Sequence, residues 1–497
     1  MKNINRSDVL ALIISLAAVL AVYIISDRLF EQMPHIEDEM AYVWQAQVFA
    51  EGKLTLPSPP GAASLTIPYV VDYQGQRFAK YPPGWPIMLA LGLKLNARSW
   101  VNPVLAGFSI WFIYVLGKRL FGQRVALFAS FLTLLSPFFL FNAAMLFPHT
   151  WTLFLSLAFI MAWLDTLVFS DGSFPKPISA ITAGLSLGVL AFTRPLTAIG
   201  VCLPFVFHAI LLLYRGERTT RIRVVVIGLL AGLLGGIIFI WQFAVTGDAL
   251  LNPYTLWWPY DKVGFGNGYG ILESGYSLGA AVENLRFSFD LGSGDFFGWG
   301  DIWWFFPLVG LLQLRKNNLP VWLVVSVFPS LVFVYMAYWT YTPRYYYEGL
   351  FSLNFLCSLG VLWLIDGGFK NKIFNSFVRT IAIVVCSWLF CYNLLIYLPT
   401  RFHEMKNLYG INRALLLPFK EKEAQAMTPA LVIVYPDSWG FKYGGLLELQ
   451  NAELTTPFIF AAHRGQAEDN QLVLSYPERN IIYYYFDEPE KFYTHPR

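Results

Sequence analysis

The sequence predicts an all-α polytopic membrane protein of about eleven transmembrane helices, with helices in the outer interface and a small C-terminal α/β domain. Three observations carry that reading. Apolar residues make up 56% of the 497-residue chain and charged residues only 13%, against about 25% charged in a soluble domain. Mean hydropathy is correspondingly high, at +0.50. Apolar runs long enough to cross a bilayer recur along the chain, and Lys and Arg collect in every second loop.

The elements follow in order. Lys2 and Arg6 precede the first run, Val9–Leu29. No small-residue cleavage site follows it, so it reads as an uncleaved first span. Further runs are Val101–Gly117, Val125–Ala143, Thr150–Phe169, Ile178–Phe192, Ala198–Tyr214 and Val224–Val245, then Trp303–Leu314, Val321–Tyr338, Leu350–Ile365 and Ile381–Leu398. With Lys2 and Arg6 in the cytoplasm, one scheme puts Lys118/Arg119/Arg124, Lys176, Arg215/Arg218/Arg221/Arg223, Arg315/Lys316 and Lys370/Lys372/Arg379 on that same side. An odd span count then leaves the C-terminus outside. The short stretch Ile87–Leu95 follows Pro82-Pro83-Gly84-Trp85-Pro86. It is too short to cross as a helix and is predicted to lie in the outer interface.

This organisation gives two large outer segments, Phe30–Trp100 and Thr246–Asp301, within a membrane domain covering 1–398. From 399 to 497 the chain turns polar. Ala430–Tyr435, Pro457–Ala461 and Asn480–Phe486 read there as short strands bounded by turn residues. No internal repeat is visible.

Composition also excludes functions. A net charge of +3, with no basic cluster interleaved with aromatics, argues against a nucleic-acid partner. Cys202, Cys357, Cys386 and Cys391 all lie in apolar runs and read as small core residues. Aromatics at 18% suit interfacial belts facing membrane lipids. There is no nucleotide-type phosphate loop, no HExxH and no GxSxG.

The candidate chemistry gathers at the outer rim. Pro34-His35-Ile36-Glu37-Asp38-Glu39 begins a helix just after the first span. Carboxylates are costly to keep at a membrane edge. Asp38 and Glu39 are therefore catalytic candidates, set against a plain capping role. Adjacent helical residues diverge by about 100°, so only one of the two can face a given substrate atom. Lys80, beside the Pro-rich turn, can hold a phosphate as a point charge or snorkel to headgroups. His149, in Phe147-Pro148-His149-Thr150, can ligate a metal, hydrogen-bond a sugar or cap a helix. Arg194 sits on a short outer turn in Thr193-Arg194-Pro195. Arg344, in Pro343-Arg344-Tyr345-Tyr346-Tyr347-Glu348, matches phosphate oxygens bidentately or pairs Glu348 at i+4. Tyr345 and Glu348 join it as candidate substrate contacts. No metal-ligand spacing is recognisable, and a divalent ion held by His149 and Glu39 stays open.

The order of these motifs resembles the GT-C glycosyltransferases. The likeness is greatest to the glycosyltransferase 39 type, similar to protein O-mannosyltransferases and the lipid A aminoarabinose transferase. It rests on Asp38-Glu39-Met40-Ala41-Tyr42 running on to Phe49-Ala50-Glu51-Gly52, on Lys80-Tyr81-Pro82-Pro83-Gly84-Trp85-Pro86 and on Pro148-His149-Thr150. It covers about the first 370 residues. It implies a GT-C-like fold in a bacterial cytoplasmic membrane, a polyprenyl-phosphate-linked sugar donor, and transfer on the outer face to a lipid, glycan or protein acceptor. Asp38 then matches the catalytic base, and Lys80 and Arg344 match donor-phosphate contacts. The chain departs from the pattern at His149, where many members place a second acidic residue. A lipid-linked saccharide transporter or flippase and a non-catalytic lipid-binding scaffold are the competing readings.

Overall fold

The computed structural model describes residues 5–169, 175–367, 372–435 and 440–497. Lys2 and Lys370 of the basic-loop scheme lie outside the described residues. The chain begins with α1 (Arg6–Arg28) and α2 (Glu37–Ala50). Next come β1 (Leu56–Pro57), β2 (Val70–Tyr73), β3 (Gln76–Ala79) and α3 (Gly84–Lys94). The membrane helices follow: α4 (Val101–Phe121), α5 (Gln123–Leu135), α6 (Pro137–Ala144), α7 (His149–Leu167), α8 (Lys176–Thr193), α9 (Pro195–Arg215) and α10 (Arg218–Thr246). An outer segment carries α11 (Tyr254–Trp257) and α12 (Leu278–Gly292). The bundle closes with α13 (Phe305–Leu312), α14 (Leu319–Val325), α15 (Val327–Tyr335), α16 (Leu350–Asp366) and α17 (Lys372–Tyr392).

Among the described residues, eight helices are long and apolar enough to span a bilayer. The protein is an integral membrane protein. Each of the eleven expected runs falls on a helical segment, but three are not simple spans. The run from Val125 to Ala143 is broken: α5 and α6 meet at 58°. Pro137 cannot continue the α5 hydrogen-bond ladder. The Ser136 hydroxyl accepts from the Phe139 N–H at 3.2 Å and caps α6. The stretches Gly300–Leu312 and Leu319–Tyr335 are shorter apolar helices.

Small residues let helices touch at the backbone. A Cβ on Gly310 would lie 1.9 Å from the Leu356 carbonyl oxygen, and one on Gly360 would lie 2.1 Å from that of Phe306. The α13–α16 crossing therefore needs glycine on both faces. Gly84 plays the same part nearer the site, because its Cβ would sit 2.9 Å from the Thr193 Cα. This approach lays the Pro82-Pro83 turn against the end of α8, beside Arg194.

The outer segment before α3 contains a feature the sequence reading did not assign, an antiparallel sheet ordered β1-β3-β2. The β2–β3 hairpin turns through Gln74 and Gly75, both at positive φ. Asp72 receives Arg77 at 2.8 and 2.7 Å, and the same guanidinium reaches the Leu65 and Ala62 carbonyls. The Ala79 N–H donates to Gln45 of α2 at 2.8 Å. The sheet thereby delivers Lys80 to one fixed place beside α2.

After α17 the helix passes through a π-helical turn, Asn393–Tyr397, into Leu398–Met405. The C-terminal region then forms a parallel sheet of β4 (Ala430–Tyr435), β5 (Phe458–Ala462) and β6 (Asn480–Tyr485) in the order β5-β4-β6. These strands coincide with the expected β-like runs to within a residue. The region packs back onto the outer segment. The Ala462 N–H donates to the Ser64 carbonyl at 2.7 Å, His35 Nε2 meets the Ile411 carbonyl at 3.2 Å, and Arg98 pairs with Glu448 at 2.9 Å.

Candidate active site

A cavity of about 600 Å³ opens where α2, the β3–α3 turn, the α6–α7 turn, the α8–α9 turn and the segment between α15 and α16 converge. Asp38, Lys80, His149, Arg194, Arg344 and Tyr345 all line it. They come from five separate stretches of chain. The lining continues onto Leu196, Ile199, Ile238 and Phe239 of α9 and α10. Ile199 and Phe239 are exposed on the outside of the bundle, so the cavity runs from a charged end to the lipid-facing surface.

Asp38 occupies the first turn of α2, where the helix dipole favours an anion. Tyr81 donates to its Oδ1 at 2.5 Å. That bond fixes the carboxylate and leaves Oδ2 with no partner among the described residues. Glu39, expected beside Asp38 as a second catalytic carboxylate, is turned away from the cavity and fully buried. Its oxygens accept from the backbone N–H groups of His35 at 2.9 Å, Ile36 at 3.2 Å and Leu146 at 2.6 Å. The helical step between neighbours separates the two acids, one to the cavity and one to a backbone clamp. Burial pushes the Glu39 carboxyl up to about 7, against the pull of these N–H donors.

Each of the three cavity cations has a different status. Lys80 is buried and pairs with Asp261 at 3.3 Å. Its Nζ lies 3.8 Å from the Tyr69 ring centroid and 4.6 Å from that of Trp258. Burial lowers its ammonium's pKa, opposed by the charges of Asp261 and Asp38. Asp261 is a site residue the sequence reading missed. It also accepts from the Tyr338 hydroxyl at 2.7 Å and the Trp339 indole at 3.0 Å. Its only sequence signal is its place in the run Trp257-Trp258-Pro259-Tyr260-Asp261-Lys262.

Arg194 is neutralised by Glu348. Its Nη1 donates to Glu348 Oε1 at 2.9 Å and to His149 Nδ1 at 2.6 Å, while Nη2 reaches the Tyr335 hydroxyl at 3.0 Å. Glu348 is fully buried below the cavity rather than lining it. Its Oε1 also receives Thr152 at 2.5 Å.

Arg344 does not pair with Glu348, contrary to the i+4 expectation. Residues Pro343–Gly349 form a 3-10 helix. In that helix i and i+3 eclipse, so i+4 points elsewhere. The Arg344 guanidinium instead stacks on Phe147, 4.5 Å from the ring centroid, and its Nε reaches Thr342 at 3.3 Å. Among the described residues it is the cavity cation without a carboxylate partner. Tyr345 stacks on Tyr335 at 4.3 Å. No three His, Cys, Asp or Glu side chains converge among the described residues. His149 and Glu39, considered together as metal ligands, have their nearest partners in different places.

No family model matches the chain, and no curated protein matches its sequence. Solved structures do match. The chain is similar to ArnT from Cupriavidus metallidurans bound to undecaprenyl phosphate, at 14% identity and TM-score 0.58, covering 94% of this chain and 88% of that one. The apo form of the same protein matches at 16% identity and TM-score 0.56, with the same coverage. The oligosaccharyltransferase of Archaeoglobus fulgidus in its apo form matches at 13% identity and TM-score 0.54, covering 97% of this chain and 69% of that one. Likeness at these identities speaks to architecture, and the architecture that these membrane enzymes and this chain have in common is the GT-C fold.

Proposed function

We propose that the protein is a glycosyltransferase that moves a hexosyl or pentosyl group from a polyprenyl-phosphate-linked donor to an acceptor hydroxyl, with inversion. The observation that carries this reading is the composition of one cavity. A half-free carboxylate, Asp38, and three cations share its polar end, and its other end reaches the lipid-facing sides of α9 and α10. A lipid-linked phosphosugar has that same division. ArnT bound to undecaprenyl phosphate and an archaeal oligosaccharyltransferase bound to a dolichol-phosphate have related folds, which supports this class of donor.

In the proposed reaction, Asp38 Oδ2 takes the proton of the acceptor hydroxyl as its oxygen attacks the anomeric carbon. The bond from that carbon to the phosphate oxygen breaks, and polyprenyl phosphate departs with the electron pair. The departing phosphate needs no general acid near neutral pH, but its growing charge needs cations. Arg344 is available at once. Lys80 adds its charge once the phosphate competes with Asp261 for it. A single displacement inverts the centre, whereas retention would need a carboxylate placed as nucleophile. Tyr81 orients the base, Arg194 and Tyr345 form part of the cavity wall, and Glu348 behind it holds Arg194.

Transfer of radiolabelled sugar from a polyprenyl-phosphate sugar by the purified protein is the direct test. A transporter or a lipid-binding scaffold would bind the lipid and transfer nothing. Arg344→Lys is expected to lower donor affinity and turnover by about tenfold, since it keeps the charge and loses the fork. Combined with Lys80→Ala, its losses should be non-additive, because both residues hold one phosphate. Strict additivity, or normal donor binding in Arg344→Ala, would leave Arg344 as a helix-end anchor.

The same proposal places the site on the outer (periplasmic) face of a bacterial cytoplasmic membrane and divides the chain at 398/399. The sidedness follows from the alternation of basic loops, the bacterial membrane from the family resemblance, and the division from the change after Leu398 to a polar region with short β-like runs. Reporter fusions after Leu398 are expected to be active outside and silent inside, and the reverse pattern would turn the site to the cytoplasm.

A further inference from the structure

His149 has two ring nitrogens in very different surroundings. Nδ1 lies 2.6 Å from Nη1 of Arg194 and 3.3 Å from Oε1 of Glu348. Arginine stays protonated, so Nη1 always presents hydrogens. One points to Glu348 at 2.9 Å, and the other is directed at Nδ1. A hydrogen on Nδ1 would collide with it. Nδ1 must therefore be the acceptor, and the longer approach to Glu348 is an imposed neighbour rather than a bond. A neutral imidazole with Nδ1 as acceptor carries its proton on Nε2.

Nε2 has no partner among the described residues, and it is not among the buried polar atoms left without one. The ring is otherwise enclosed, 5% exposed overall, between Phe147 and Tyr347. The exposure that remains is on the cavity, which His149 lines. A pinned ring thus offers a single N–H to whatever occupies that space. Phe147 contacts both this ring and the Arg344 guanidinium, its centroid 5.7 Å from the one and 4.5 Å from the other. The imidazole and the cation without a carboxylate partner thus share an aromatic neighbour and line one cavity, the space a sugar joined to a phosphate on Arg344 would enter.

We propose that His149 is a neutral hydrogen-bond donor whose Nε2–H reads a hydroxyl of the donor sugar. The proposal rests on the glycosyl-transfer reading above and assigns the sugar-contacting group within it. The phosphate has cations to neutralise it, and a neutral N–H suits an uncharged oxygen better. Arg194 and Glu348 act through the ring, fixing its tautomer and its plane.

The test compares binding of two lipids by detergent-solubilised protein, measured calorimetrically: polyprenyl phosphate, and polyprenyl phosphate carrying a hexose. His149→Phe is expected to weaken the hexose lipid about tenfold and to leave the sugar-free lipid within about twofold. His149→Gln keeps an N–H and is expected to recover most of the loss. Equal loss for both lipids would assign the N–H to the phosphate and overturn the sugar contact, as would no loss at all. Phenylalanine also removes the acceptor for Arg194, so a second measurement uses the unaltered protein. Its ¹⁵N-labelled His149 is expected to report the Nε2–H tautomer, with the Nε2 resonance moving on addition of the hexose lipid and not of the sugar-free one. An Nδ1–H or doubly protonated ring would overturn the proposal. If the unaltered protein shows the Nε2–H tautomer yet transfers no sugar and does not distinguish the lipids, the glycosyl-transfer reading fails, and the sugar contact fails with it.

Discussion

Asp38→Asn is expected to cut sugar transfer on the order of a hundredfold or more while donor binding stays near normal. The substitution preserves shape, and the Tyr81 hydroxyl, now 2.5 Å from Oδ1, can still donate to the amide oxygen. What disappears is the basic Oδ2. A lost base acts on the transition state, so the effect belongs in kcat and leaves the donor dissociation constant alone. Transfer kinetics and donor titration on the same preparation separate the two. Near-normal turnover in Asp38→Asn, together with a loss in Glu39→Gln at unchanged thermal stability, would reverse the roles of the two acids. The backbone clamp around Glu39 predicts instead that Glu39→Gln is mainly a folding defect.

Arg194→Ala is expected to be the most destabilising single change at the site, by roughly 3–5 kcal/mol, because it strands a buried charge. Glu348 is fully buried, and Arg194, Thr152 and His149 are the groups that meet it. Without the guanidinium, its Oε1 keeps only Thr152 and the edge of a neutral ring. Thermal unfolding in detergent measures the loss. The informative control is Arg194→Ala with Glu348→Gln, which removes both charges and should recover a large part of the stability. An unchanged midpoint in Arg194→Ala, or a double variant no better than the single, would mean that Glu348 is not held as an anion by this arginine.

The membrane spans were legible because apolar run length is a local property of the chain. Val9–Leu29 and Val224–Val245 needed nothing else to be placed. The cavity residues Asp38, Lys80, His149, Arg194 and Arg344 were legible for a related reason. Charged groups at a membrane edge are few, and each stood beside a turn or helix start. The pairings among them were not legible. Arg194 and Glu348 are 154 residues apart, and Lys80 and Asp261 are 181 apart; no period in the chain links such positions. The i+4 rule paired Glu348 with Arg344 by assuming an α-helix where the chain takes a 3-10 turn. The break at Ser136-Pro137 was written in the sequence as a proline inside an apolar run. Its result was not, because the 58° bend depends on how α6 packs.

The clamp at Glu39 has a mechanical meaning. It fastens the start of α2 to Leu146, three residues before His149. Asp38 and the imidazole therefore stand on one continuous abutment and cannot separate without breaking buried hydrogen bonds. The opposite bank of the cavity is moored differently. Asp261 ties its outer loop to Lys80, Tyr338 and Trp339 through one ion pair and two side-chain hydrogen bonds, and the Gly264 N–H adds a backbone bond to the Ala337 carbonyl at 2.7 Å. The spacing between Asp38 and the His149 ring is thus set by buried hydrogen bonds of the bundle rather than by the outer loop.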